Sequence, residues 1–587
     1  MIRLLKNLKP YTLSIIGVMV FVFLQSLSEL FLPTLMSDIV DTGVVDGNIN
    51  YIISIGGWMI LIAVIAMISS IIGSYLAAKV ATGFGRDLRT KVFTKVESFS
   101  LEEFDEKGTA SLIIRTTNDI TQIQQLVIVM LRMFLRAPLL FIGGIIMAVI
   151  KNAKLSLMLV VILPFLVIVI FLVAKRSMFL FKSMQIKLDK LNLVLREYLT
   201  GTRVIRAFNR EDYEKKRFRK ANFDLTETAK KVNKLMVILI PLMMLILNLT
   251  TVSIIWFGGI QINEGSMQVG DLMAFIQYAS QILFSLIMGS MMLIMLPRAS
   301  VSAIRINEVL DVEPKIRDPK TVVKELQPGI KHDMTSKKEK RGYLEFNDVS
   351  FCYQGAKEPA IDKISFKARP GELTAIIGST GSGKSTLINL IPRFYDVTEG
   401  RILVDGIDIR ELTQEKLRSK IGLIPQKVVL FSGTIAENIC FGNHKLSLDE
   451  ITRAAEIAQA SEFISSMKKG YNSIISQGGT NISGGQKQRL AIARALAKRP
   501  EIYIFDDSFS ALDFKTEAKL RVAIKRETKN DTVLIIAQRV TTVMDADRII
   551  VLDEGKIVGK GKHQDLMMTC KAYREIVASQ LSEEELT

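Results

Sequence analysis

Cysteine and histidine are scarce in this 587-residue chain, with three of each. Cys352, Cys440 and Cys570 form no C-x-x-C pair, and His332, His444 and His563 do not cluster. Those spacings argue against a disulfide framework or a zinc site and fit a reducing cytoplasm. Acidic residues are the minority charge, 59 Asp and Glu against 76 Lys and Arg, for a formal net charge of +17. No internal repeat is visible, so each part of the chain is present once.

Apolar residues make up 49% of the chain, and its mean hydropathy is +0.29. They are concentrated in the first three hundred positions, which argues for a membrane half followed by a soluble half. The basic residues crowd between the apolar runs, as in "RSMFLFKSMQIKLDK" and "REDYEKKRFRK". That placement points to a bilayer face rather than to nucleic acid.

A helix needs roughly 20 apolar residues to cross the hydrocarbon core. Six runs qualify, at about 12–36, 52–78, 126–150, 155–174, 235–260 and 272–296. The opening "MIRLLKNLKPY" reads as an interfacial helix, because no small-residue cleavage site follows it. The loops "DTGVVDGNIN" and "QINEGSMQVGD" lack Lys and Arg, and "KNAK" has two, while the other connections are longer and strongly basic. The three short loops are therefore expected outside, and both termini in the cytoplasm of a multi-pass cell-membrane protein. The long connections near 79–125 and 175–234 read as helical extensions of their spans. Glu29, Arg132 and Arg136, with Gln25, Asn248, Gln277 and Gln281, are polar residues within spans. They fit either a polar substrate path or interhelical pairing, and Arg132 also lies within snorkelling reach of the cytoplasmic end.

The soluble half follows a polar stretch, Asp318 to Arg341. "LTAIIGSTGSGKSTLINLI" runs an apolar strand into a G-x-x-x-x-G-K-S turn and then a helical pattern. Gly378, Ser379, Thr380, Gly381, Ser382 and Gly383 would wrap phosphates with backbone N–H groups, at a helix N-terminus whose field favours anions. Lys384 would reach the outer phosphates, with Ser385 on Mg²⁺ and Thr386 beside it among the nucleotide-binding residues. "NISGGQKQR" places Ser483, Gly484, Gly485 and Gln486 at a second helix start. A single chain does not easily aim both helix starts at one triphosphate, whereas two copies head to tail do.

These motifs, with "SALD" (Ser510 to Asp513), resemble the ATP-binding cassette of ABC transporters over essentially all of 343–575. The resemblance implies that Tyr353 stacks on adenine, that Gln426 touches Mg²⁺, and that Asp506 is the Mg²⁺-associated carboxylate. Six spans before one cassette resemble an exporter-type half-transporter, in which "FDEKGTASLIIRTTNDI" and "GTRVIRAFNRED" look like the two intracellular loops. The fold class expected is a multi-domain one. An all-α six-helix transmembrane domain (1–310) and a linker (311–342) precede an α/β P-loop nucleotide-binding domain (343–587), with ATP and Mg²⁺ as cofactors.

Three positions depart from the family. Asp507 stands where the catalytic base should be Glu, and one methylene fewer withdraws its carboxylate by about 1.5 Å. A base must lie within hydrogen-bond reach of its water, and its help is worth roughly 10²–10⁴ in rate. Gln538 replaces the switch histidine; it can donate to phosphate but cannot carry positive charge. Gln477 stands where exporters carry a Glu. Asp507 and Gln538 are either tolerated variants of a working site or marks of one that binds ATP and hydrolyses it poorly. The second reading resembles the degenerate-site subunit of heterodimeric bacterial multidrug exporters. It implies a second half-transporter as partner, the lipid bilayer as setting, a small amphiphilic substrate and no nucleic acid. A slow homodimer, a lipid or peptide exporter, and an ATP-gated regulator remain the alternatives.

Overall fold

Inside a bilayer the backbone finds no water, so a long apolar run must satisfy its own hydrogen bonds as helix. The computed structural model describes residues 1–319, 341–443 and 445–580. In it six helical stretches are long and apolar enough to cross a membrane: Arg3–Val44, Ile49–Glu97, Thr109–Lys151, Ala153–Ala207, Pro241–Asn263 and Val269–Gly289. The chain divides into two units, Met1–Glu97 with Gly108–Val312, and Ser98–Lys107 with Glu313–Thr587. Most of the expected linker, 320–340, lies outside the described residues, as do His332 and His444.

In the first unit the helices Ile49–Glu97, Ala153–Ala207 and Glu211–Asn263 run 49, 55 and 53 residues. That is more than twice what a bilayer core requires, so the polar connection 175–234 continues as helix on both sides of a short turn. The connection 79–125 is more broken than expected. Glu97 ends one helix, and Leu101–Lys107, Thr109–Thr116 and Asn118–Met133 follow as separate pieces. Gly108, at φ 72°, turns the chain between two of them in a conformation that suits glycine. The third span, expected as one run over 126–150, is also interrupted. Asn118–Met133 stops, and Arg136–Lys151 begins after a turn at 134–135. Pro138 accounts for the break, since its ring would collide with the carbonyl of Phe134 and it donates no N–H.

The polar residues within spans pair with one another where they are buried. Arg136 Nη2 donates to both carboxylate oxygens of Glu29, at 2.8 and 3.1 Å. Gln25 Nε2 donates to Glu29 Oε1 at 2.9 Å, and Gln281 Nε2 to the Glu29 carbonyl at 3.2 Å. The cluster joins the first, third and sixth spans. Asn248, Gln277 and Arg132 are instead exposed on this chain. Toward the other end of the same spans, Lys151 pairs with Asp271 at 2.8 Å and donates to Ser37 Oγ at 3.0 Å. Asp41 there accepts from the backbone N–H of Gly270 at 2.6 Å.

Among the described residues the second unit is built on three sheets. The strands are β1 (Leu344–Phe351), β2 (Ile361–Ala368), β3 (Leu373–Gly378), β4 (Glu399–Val404), β5 (Ile407–Asp408) and β6 (Ile421–Ile424). They continue as β7 (Gly433–Thr434), β8 (Ile474–Ile475), β9 (Ile502–Asp506), β10 (Thr532–Ile536), β11 (Arg548–Asp553) and β12 (Lys556–Gly561). A four-stranded antiparallel sheet has the order β2-β1-β4-β5, and a six-stranded sheet the order β12-β11-β3-β10-β9-β6. In the larger sheet every neighbouring pair is parallel except β11 with β12. Its central strands are covered on both faces, which is why "TVLII" and "IYIF" read as continuous rather than alternating apolar runs.

Removing one partner of the Glu29–Arg136 pair leaves the other charge half-buried and unpaired. Glu29→Gln should lower the thermal stability of the full-length chain in detergent, by about 1–2 kcal/mol. Glu29→Gln with Arg136→Gln should lose less than the sum of the single changes.

Candidate functional site

Parallel pairing decides where the chemistry lies. Ile536 on β10 pairs with both Ile376 on β3 and Asp506 on β9, so the three strands end at one edge. β6 pairs with β9 and ends at Ile424, two residues before Gln426. The phosphate loop, the Asp506–Asp507 pair, Gln538 and Gln426 therefore leave the sheet at its carboxyl end, where ligands bind in α/β sheets.

The loop from Gly378 to Gly383 is shaped for close backbone approach. A Cβ on Gly378 would stand 2.2 Å from the Leu552 carbonyl, and one on Gly383, at φ 95°, 2.7 Å from that of Ala360. Lys384 opens the helix Lys384–Leu390, and its Nζ spans the loop, donating to the carbonyls of Gly378 and Ser379 at 2.8 and 2.7 Å. Burial pulls this ammonium below its ordinary pKa, and the nearby Asp506 and Asp507 oppose that shift. Tyr353, at 39% exposure, presents a ring edge-on to Phe351 and Tyr395, and its hydroxyl meets Thr386 Oγ1 at 3.1 Å.

Asp506 is the last residue of β9, and Asp507 turns the chain at φ 46°. Aspartate enters that left-handed region more readily than most residues. The Asp507 N–H donates to the Ile536 carbonyl at 2.8 Å, which ties the turn to β10. Gln426 Nε2 donates to Asp507 Oδ2 at 3.2 Å, so the two residues meet although 81 positions separate them. Burial raises the pKa of both Asp506 and Asp507; a backbone hydrogen bond from Gln426 opposes it at Asp506, and the Gln426 side chain opposes it at Asp507. Gln538 lies exposed just past β10.

Ser483 caps the helix Gly484–Lys498 in a reciprocal pair with Gln486, its N–H donating to Gln486 Oε1 at 2.9 Å and its Oγ accepting from the Gln486 N–H at 3.3 Å. Among the described residues no hydrogen bond joins this signature to the phosphate loop of the same chain. It packs instead on the "SALD" turn, where a Cβ on Gly485 would stand 3.0 Å from the Ala511 carbonyl. Gln477 is exposed in the turn before the signature.

One buried group escaped the motif reading. Gln488 is buried on the signature helix, where its Oε1 accepts from the Ala511 N–H at 3.3 Å and its Nε2 donates to the Asp507 carbonyl at 3.5 Å. It follows the signature by two positions, a spacing that carries no signal of its own. The segment Ser98–Lys107 also belongs with this unit. Tyr395 donates its hydroxyl to Asp105 Oδ2 at 2.9 Å, and burial together with that carboxylate raises the tyrosine pKa. Glu103 is 5% exposed and accepts from the Lys315 N–H at 3.1 Å.

The chain matches the ABC transporter transmembrane region model over residues 15–286 and the ABC transporter model over 361–510. It is 41% identical over 578 residues to an ABC transporter ATP-binding protein of Mycobacterium tuberculosis, covering 98% of this chain and 97% of that protein. The chain is an ABC transporter. A Pseudomonas aeruginosa ATP-dependent lipid A-core flippase is 32% identical over 600 residues, covering 99% of this chain and 96% of that protein. The solved structure of a bacterial Atm1-family ABC exporter with ATP bound superposes with a TM-score of 0.80 at 26% identity, covering 97% of this chain and 98% of that one. This ABC exporter therefore joins a helical transmembrane region with six candidate spans to an α/β nucleotide-binding domain that binds ATP.

The raised carboxyls set a pH dependence. A carboxyl whose folded-state pKa exceeds its unfolded value holds its proton more tightly in the folded chain. Its ionisation costs stability as pH rises through the folded value, and that cost is absent below the unfolded value. Asp506→Asn should therefore raise the nucleotide-free melting temperature at pH 7, with a gain that shrinks toward pH 4.

Proposed function

We propose that this exporter chain is the degenerate-site half of a heterodimer that moves amphiphilic compounds, including drugs, out across the cell membrane. The observation that carries this reading is the pattern of intact and altered groups at one sheet edge. Lys384, Ser385, Gln426 and Asp506 keep their places, whereas Asp507 and Gln538 replace the base and the switch. The binding groups are kept and the two groups that act on the γ-phosphate and its water are changed. Asp507 is also the group that Gln426 engages, so its short carboxylate is committed to a hydrogen bond within the chain.

A side chain at Gly378 or Gly383 would meet the Leu552 or Ala360 carbonyl, so glycine there preserves the loop whose backbone N–H groups would wrap a triphosphate. Ser385, Gln426 and Asp506 carry oxygen donors of the kind that suits Mg²⁺ and would hold it, and the ion would supply charge neutralisation to the phosphates. Tyr353 is exposed enough to offer a ring face to a base. Lys384, desolvated and beside two carboxylates, supplies the positive charge opposite the outer phosphates. The signature, which makes no hydrogen bond to its own phosphate loop among the described residues, is left to complete the partner's site. The Lys and Arg distribution favours cytoplasmic termini.

A lipid-like substrate is the second reading, favoured by the identity to proteins named lipid A-core flippases. Lipids belong to the amphiphiles of the main proposal, so the two differ in cargo rather than in the degenerate site.

The test is ATP turnover by the purified chain, alone and with its partner. The chain alone should hydrolyse ATP slowly and gain activity on co-expression; full exporter turnover by the chain alone would overturn the heterodimer. Asp507→Glu with Gln538→His should raise hydrolysis at this site at least tenfold, within the range a placed general base supplies.

A further inference from the structure

We propose that Gln580, 42 residues beyond Gln538, is a positioning residue for the γ-phosphate side of the nucleotide site. This inference rests on the reading of 538 as the switch position. β10 ends at Ile536, and the next N–H, that of Ala537, still reaches the Ile376 carbonyl at 3.3 Å. From Gln538 onward the chain leaves the sheet, and its backbone groups lose their ladder partners.

The Gln580 amide takes up both sides of that segment. Its Nε2 donates to the Gln538 carbonyl at 2.7 Å, and its Oε1 accepts from the Val540 N–H at 2.8 Å. One primary amide thus acts as a missing strand neighbour, donating and accepting across a single span of backbone. The brace is itself anchored. The Gln580 N–H donates to the Val577 carbonyl at 3.0 Å, at the end of the helix Lys571–Ala578. Tyr573 and Val577 of that helix are fully buried at 0% exposure.

The opposite flank of the segment is tied as well. Arg539 Nη2 donates to the Ser510 carbonyl at 3.3 Å, and the guanidinium lies 5.9 Å from the Phe514 ring centroid. Position 538 is held between the C-terminal helix and the "SALD" turn. Its side chain remains exposed while its peptide is fixed, which is the arrangement a sensor of the terminal phosphate requires. A glutamine there depends on this brace more than a histidine would. It contributes only a directed hydrogen bond, which weakens steeply with misalignment.

The test compares Mg²⁺-dependent ATP and ADP affinities and melting temperature for the full-length protein, Gln580→Ala and Gln580→Glu. Gln580→Ala should weaken ATP about three- to tenfold, the worth of one well-placed hydrogen bond, with ADP affinity unchanged and only a small drop in melting temperature from the unpaired Val540 N–H. Gln580→Glu keeps an acceptor for Val540 but sets an acceptor-only carboxylate oxygen against the Gln538 carbonyl, so it should weaken ATP at least as much as Gln580→Ala. A purely structural role would lower both affinities and the melting temperature together, and that result, or an unchanged ATP-to-ADP ratio, overturns the inference. If Gln580→Ala does not fold, Gln580→Glu decides by the same ratio. If the unmodified protein itself does not prefer ATP over ADP, the reading of position 538 fails and the inference falls with it.

Discussion

The nucleotide-binding unit depends on the parallel pairing of β3, β10 and β9. Because Ile536 sits opposite both Ile376 and Asp506, the three strands run in register to one edge, with β3 continuing two residues further to Gly378. That register brings together a glycine loop, a carboxylate pair and a switch position that lie far apart in the chain. β6 extends the same edge and delivers Gln426. A slip of one residue in any of these strands would exchange the side chains packed on its two faces and move its functional residue off the edge. The buried runs "TVLII" and "IYIF" therefore secure both the core and the site.

At that edge the chemistry is divided. Asp506 remains in the strand, desolvated, with Lys384 nearby to balance its charge. Asp507 leaves the strand in a left-handed turn, held by the Ile536 carbonyl and by Gln426. The two adjacent carboxylates are thus in different backbone conformations with different partners, and they need not share a role. In the proposed role, the site keeps what binding requires and changes what hydrolysis requires. The signature on the same chain is well formed, with Ser483 capping its helix, yet it packs on the "SALD" turn instead of the local phosphate loop.

Much of this arrangement was legible in the sequence. Six apolar runs are hard to misread because a bilayer demands a fixed length, and G-x-x-x-x-G-K-S between a strand and a helix leaves few other readings. The interruption of the third span at 134–135 needed the weight of Pro138 against a strongly apolar run. The pairing of Glu29 with Arg136 was one of two open readings, since residue type cannot tell a lined path from an interhelical contact. Gln488, Tyr395 and Gln580 carried no signal. Each acts through a contact that only folding creates, and a lone glutamine or tyrosine has no spacing to announce it.

The proposed role requires that this chain hold ATP without consuming it. The most direct measurement is the identity of the nucleotide retained by the purified full-length protein after long incubation with Mg²⁺ and ATP. The account predicts that the retained nucleotide is intact ATP; recovery of mainly ADP would contradict it.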